Sequence, residues 1–113
     1  MKTSILLTKA KKFENVCSSE ESIKNAVTIG SVQTSFDVYA DFMYYTKGIY
    51  HHILGGLEGG HAVTIVGYGI EGSKKYWTVR NSWGESWGES GYFRILRGTN
   101  ECNFESDCYL TSV

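Results

Sequence analysis

Proline is absent from this 113-residue chain, and glycine, at 13 residues, is left as the main punctuation. The formal charge is only −1. That near-balance excludes the strong basic field that would point to nucleic acid or an anionic membrane surface. No apolar run approaches the roughly 20 residues that a membrane helix requires. The opening stretch, MKTSILLTKAKKF, has too short an apolar core for a secretory leader, which needs about 7–15 such residues. It reads instead as an edge strand or a ragged terminus. Cysteine is scarce: Cys17, Cys102 and Cys108 form an odd set. At least one thiol is therefore unpaired within the chain. Cys102 and Cys108 are candidates for a bridge, but their separation in space is not legible, and the redox compartment stays open.

What is present favours a folded, strand-rich domain. Hydrophobic residues make up 42% of the chain, and there are eight tyrosines. Aromatic enrichment with glycine breaks favours short strands over long helices. One small domain spanning residues 1–113 fits this length.

One helix is expected in CSSEESIKNAVTIG. Ser18 is its candidate N-cap, with Glu21 completing a capping box. Ile23, Ala26 and Val27 give an apolar stripe at helical spacing, and Gly30 is a natural stop. SVQTSFDVYA then alternates as a strand, with Val32, Phe36 and Val38 on one face. DFMYYTKG reads as a short helical turn, IYHHI as a short extended piece and LGGLEGG as a flexible loop. Further strands are expected at about residues 62–69, 76–81 and 91–97. The fold class is α+β, a barrel-like antiparallel sheet with one or two short helices.

The two strands around IEGSKK read as a hairpin. Centring it near Glu71 places Ile65 opposite Trp77, Val63 opposite Val79 and His61 opposite Asn81. The alternate set, including Thr64, Thr78, Ala62 and Arg80, is more polar, as a half-buried pleat demands. A slip of two residues would keep these faces and change the partners. Opposed residues have Cβ atoms about 4.5–5.5 Å apart. At that distance an asparagine oxygen can accept from an imidazole N–H. A lone histidine beside Gly-Gly reads as a half-exposed loop residue. A His–Asn pair at the end of an apolar ladder instead reads as reactive groups on a rigid support.

GGHAVTIVGYG (Gly59–Gly69) followed by YWTVRNSWGESWGESGYFRI resembles the C-terminal half of papain-like cysteine proteases. SVQTSFDVYADFMYYTKGIY and RILRGTNECNFES resemble the cathepsin B-like branch. The resemblance spans about residues 16–107. It implies the right-hand domain of a two-domain fold, with the left-hand domain outside this chain. By that resemblance His61 is the catalytic histidine and Asn81 the residue that orients it. Trp83 shields their hydrogen bond, and Trp87 lines the leaving-group side of the cleft. Gly60 and Ala62, flanking the histidine, meet the substrate main chain. Asp107, in CNFESDC, occupies the floor of a pocket for a substrate side chain and would favour arginine or lysine there. It is one methylene shorter than glutamate. The resemblance implies a lysosomal or secreted location, peptide or protein substrates, and no metal or cofactor.

The nucleophile is the missing part. The family places its cysteine near the mature N-terminus, about 130–150 residues before the histidine. His61 has only 60 residues before it. The local pattern C-G-[SA]-C-[WY] is absent. Cys17 precedes a helix whose dipole would lower its pKa, but Glu20 and Glu21 oppose a thiolate. Cys102 and Cys108 follow the histidine. His51 and His52, adjacent on an extended piece, point to opposite faces and are poorly placed to share zinc. Two functions remain in play. One is half of a cysteine peptidase that is inactive until a left-hand domain supplies sulfur. The other is a non-catalytic papain-like module that binds peptides or proteins.

Overall fold

The computed structural model describes residues 12–112. The expectation for the first eleven residues lies outside that range. Strand β1 (Lys12–Asn15) is followed by helix α1 (Glu20–Ile29) and strand β2 (Ser31–Tyr39). A 3₁₀ turn at Ala40–Tyr44 leads to the two-residue strand β3 (Ile49–Tyr50). Strands β4 (Leu57–Glu71), β5 (Lys74–Arg80) and β6 (Tyr92–Leu96) follow. A short 3₁₀ turn at Glu101–Asn103 precedes β7 (Cys108–Ser112).

The strands form one sheet in the order β1-β7-β2-β4-β5-β6-β3. It is open rather than closed into a barrel, with β1 and β3 at its edges. Its pairs are antiparallel except β3 with β6, which is parallel. The sheet is thus antiparallel, as expected, but for this two-residue pair. That pairing depends on where the chain returns after the 3₁₀ turn, which residue alternation does not encode.

Helix α1 begins one residue later than expected. Ser19, not Ser18, is the N-cap, and its Oγ accepts from the Ser22 N–H at 3.0 Å. Glu20 and Glu21 then occupy the first turn, where carboxylates complement the positive end of the helix. Ile23 and Ala26 are buried against the sheet. The helix ends at Gly30, whose N–H donates to the Ala26 carbonyl at 3.1 Å. A Cβ at Gly30 would lie 3.0 Å from the Thr111 carbonyl oxygen, so the chain passes close to β7 there.

In β2, Val32, Thr34, Phe36 and Val38 are all buried, the alternation expected of a strand packed on one side. The core joins these to Phe42, Ile65, Trp77, Val79, Phe93, Ile95 and Phe104. Trp77 keeps its indole N–H satisfied by Glu105 Oε2 at 2.8 Å, which removes the penalty for burying a polar atom.

Two further expectations are corrected here. The glycine-rich stretch is only partly loop, because β4 already begins at Leu57. Glycine composition suggested a flexible link, but Gly59 and Gly60 pair with Val38 and Asp37. The cysteines also pair differently. Cys17 and Cys108 form the disulfide, with Cα atoms 5.3 Å apart, and Cys102 is free. Cys102 and Cys108 stood only as candidates for a bridge; β7 instead carries Cys108 to the start of α1.

Candidate active site

The hairpin of β4 and β5 turns tightly, with Glu71 opposite Lys74. Its register then slips at a bulge between Ile65 and Gly67. Ile65 therefore opposes Val79, and Thr64 opposes Arg80. Beyond the bulge the expected register is displaced by two residues, and on the turn side, where Trp77 opposes Tyr68 rather than Ile65, by three. Beyond the bulge the displacement is even, so Val63 and Ile65 still share the buried face with Trp77 and Val79.

His61 and Asn81 meet by their side chains rather than by direct opposition. His61 Nε2 lies 2.7 Å from Asn81 Oδ1. The Ser82 N–H also donates to Asn81 Oδ1, at 2.7 Å. A donor on the Ser82 side identifies that atom as the amide oxygen, so His61 Nε2 carries a hydrogen. Nδ1 is then the basic nitrogen of the neutral ring. Trp83 stacks on the imidazole, with ring centroids 5.0 Å apart and planes inclined by 26°. Phe36, opposite His61 in the β2–β4 pair, approaches from another side at 6.2 Å.

Asn81 is itself buried, at 8% exposure, directly after β5. Its N–H donates to the Gly91 carbonyl at 3.1 Å, which ties it to the following turn. Its Nδ2 is buried without a hydrogen-bond partner among the described residues, as is Trp87 Nε1. Trp87 packs edge-on against Trp83 at 5.1 Å and lies against Tyr45 at 5.4 Å. Gly88 makes that turn possible. Its φ is +61°, and a Cβ there would sit 2.6 Å from the Tyr92 carbonyl oxygen. Glu89 braces the turn by accepting from both Arg94 Nε at 3.1 Å and Arg94 Nη2 at 3.0 Å. It also accepts from the Gly48 N–H at 2.9 Å. Burial raises the Glu89 pKa, but these donors outweigh it and hold the carboxyl below its usual range.

Gly60 and Ala62 are exposed on either side of His61. Asp107 is exposed too, and it borders two adjoining hollows. The larger, about 370 Å³, is lined by Ser35, Asp37, Gly60, Asn103 and Ser106 as well. The smaller, about 110 Å³, adds Gln33, Ala62 and Tyr109 and shares Ser35 with the first. Strand β2 positions this loop. Thr34 Oγ1 donates to the Phe104 carbonyl at 2.7 Å, and the Ser35 N–H donates to the Asp107 carbonyl at 3.3 Å. Asp37 and Asn103 were not anticipated. Asn103 Nδ2 donates to Asp37 Oδ2 at 2.7 Å from a backbone with φ +60°. A left-handed turn of that kind leaves little trace in side-chain patterning.

The remaining candidates lie elsewhere in function. Cys17 is tied up in the disulfide and offers no thiol. Burial and the adjacent Glu101 carboxylate push the Cys102 thiol up to about 12, so it stays protonated at neutral pH. His52 Nδ1 lies 3.0 Å from Asp41 Oδ1, and its ring stacks on Tyr39 at 3.9 Å. Asp41 also accepts from Tyr50 Oη at 2.6 Å, the Ile53 N–H at 2.8 Å and the Leu54 N–H at 3.1 Å. Burial raises the Asp41 pKa, yet these donors more than offset it and hold the carboxyl far below its ordinary value.

Comparison with known proteins accounts for this arrangement. The profile of papain family cysteine proteases matches residues 1–112, and the chain belongs to that family. Its relatives are of the cathepsin B-like branch. It is 56% identical over 84 residues to Cathepsin B-like CP3 of Giardia intestinalis, covering 74% of this chain and 28% of that protein. It is 48% identical over 94 residues to the Cathepsin B-like cysteine proteinase of Schistosoma japonicum, covering 82% and 28% respectively. Among solved structures, proCathepsin B S9 from Trypanosoma congolense superposes with a TM-score of 0.83 at 37% identity. That superposition covers 90% of this chain and 35% of the other. The chain thus spans 28% of the length of the two cathepsin B-like relatives.

Proposed function

We propose that this chain is the histidine- and asparagine-bearing right-hand domain of a cysteine peptidase and that it cleaves peptide bonds only together with a left-hand domain that brings the sulfur. The hydrogen bond from His61 Nε2 to Asn81 Oδ1, under the ring of Trp83, carries this reading. With Nε2 held as the donor, Nδ1 is free to take the proton of a cysteine thiol. The thiolate would add to the substrate carbonyl, and the imidazolium would return that proton to the leaving amine. Water would then release the acyl group from sulfur. Exclusion of water by Trp83 strengthens the His61–Asn81 bond by lowering the local dielectric. Trp87 borders the leaving-group side, and Gly60 and Ala62 let the substrate main chain approach. Asp107 favours a basic side chain through a charge-assisted pair.

The Cys17–Cys108 disulfide fits the oxidising setting of a lysosomal or secreted protein. The experiment is reconstitution. The chain is mixed with the left-hand domain of a related cathepsin B-like enzyme and assayed on a dibasic fluorogenic peptide. Turnover that is lost on His61→Ala supports the proposal. Peptide binding without turnover would favour the alternative, a non-catalytic binding module, because no thiol among the described residues is free and ionised at neutral pH.

A further inference from the structure

Asp37 has no part in the reading above, yet it lines the larger hollow together with Asp107. In the β2–β4 pair it stands opposite Gly60, the residue just before His61. None of the ion pairs found among the described residues involves Asp37 or Asp107. Asp37 Oδ2 takes the Asn103 amide hydrogen, which fixes the carboxylate without neutralising it. Among the described residues no lysine or arginine lines either hollow. The wall shared by the two hollows thus bears one carboxylate, and the larger hollow bears a second that has no counter-charge among the described residues.

We infer that Asp37 is a specificity-determining residue that selects arginine over lysine in the side-chain pocket floored by Asp107. The inference rests on the peptidase reading only for the identity of the ligand, a substrate side chain. Two properties decide between the cations. A guanidinium is planar and presents five donors in a fork, so it can engage Asp107 and Asp37 together. An ammonium is a compact point charge that pairs well with only one of them. Aspartate also reaches a methylene less far than glutamate. The second carboxylate in the same hollow offers a long basic side chain another acceptor, and a guanidinium is the group able to use both.

The test needs no catalysis. The isotope-labelled chain is titrated with N-acetyl-argininamide and, separately, N-acetyl-lysinamide, following the amide signals of Ser35, Gly60 and Asn103. Arginine is expected to bind about fivefold more tightly than lysine, a modest margin suited to partly exposed charge pairs. Asp37→Asn is expected to remove that margin while leaving lysine affinity within about twofold, and Asp107→Asn to weaken both ligands. Asp37→Ser serves as a second variant, since it discards the charge whether or not the Asn103 contact is kept. Equal loss of both ligands on Asp37→Asn and Asp37→Ser, no change with either, or no saturable shift with arginine overturns the inference. The peptidase reading fails by a different result, namely absence of turnover after reconstitution.

Discussion

Asp41 and Asn81 are both short polar side chains set beside a histidine, and they are treated in opposite ways. Asp41 is closed off. Its two oxygens receive Tyr50, His52 and two backbone N–H groups, which pins the segment leading into β4. Asn81 is half-finished. Its oxygen serves two donors, and its buried Nδ2 serves none among the described residues. A saturated hub stabilises a fold, because each group taken from water is compensated. A buried donor without a partner costs stability, the opposite of the saturated hub at Asp41.

Several experiments would break or sharpen that contrast. The largest effect belongs to the closed side of the molecule. The disulfide spans 91 residues of sequence, and loop-entropy reasoning sets its contribution at about 4.6 kcal/mol. Replacing Cys17 and Cys108 with serine should lower the urea midpoint accordingly and leave the His61 ring signals of any remaining folded fraction unchanged. Asp41→Ala should cost about 3 kcal/mol in the same measurement, since it strands several donors at once. Asn81→Ala should separate the two quantities. Stability should fall by no more than about 1 kcal/mol, because one unpaired donor disappears along with the lost bonds. Turnover of the reconstituted enzyme should drop by roughly 10²-fold, as expected when a general acid–base group loses its orientation. If Asn81→Ala unfolds the chain as readily as Asp41→Ala does, the contrast fails.

Acid provides the gentlest probe. Asp41, Glu89 and Glu20 all have folded-state pKa values below their usual ones. For Glu20 burial opposes the shift, and Lys75 and Arg97 outweigh it. A lowered carboxylate stabilises the fold above its unfolded pKa of about 4 and loses that contribution as pH falls through the folded value. Stability should therefore hold flat from neutrality to about pH 5 and decline below about pH 4. Asp41→Asn should blunt that decline, whereas Asn81→Ala should not. A decline that begins near pH 6 would point to histidine instead.

What the sequence made legible was local. The alternation of β2 and the stripe of α1 are periodicities within a dozen residues, and both appear in place. The meeting of His61 with Asn81 was legible through long motifs, although the β4–β5 register was off by three residues near the turn and by two beyond the bulge. A bulge at Val66 leaves no residue-type signature, since valine suits any strand position. The parallel pairing of β3 with β6 and the bond between Cys17 and Cys108 depend on contacts between distant segments, which pattern reasoning does not reach. Asp37 and Asn103 escaped for a related reason. Their contact depends on a loop in which Asn100, Cys102 and Asn103 all have positive φ.

The bond between Cys17 and Cys108 gives the chain one more property. Together they enclose most of the polypeptide in a covalent ring. A single cut by a protease between those residues, for instance in the exposed stretch around Leu54, would open the ring without releasing a fragment. Such a nicked molecule would migrate as one species on a non-reducing gel and as two after a reductant is added. The staple lets the protein survive its first clip in one piece.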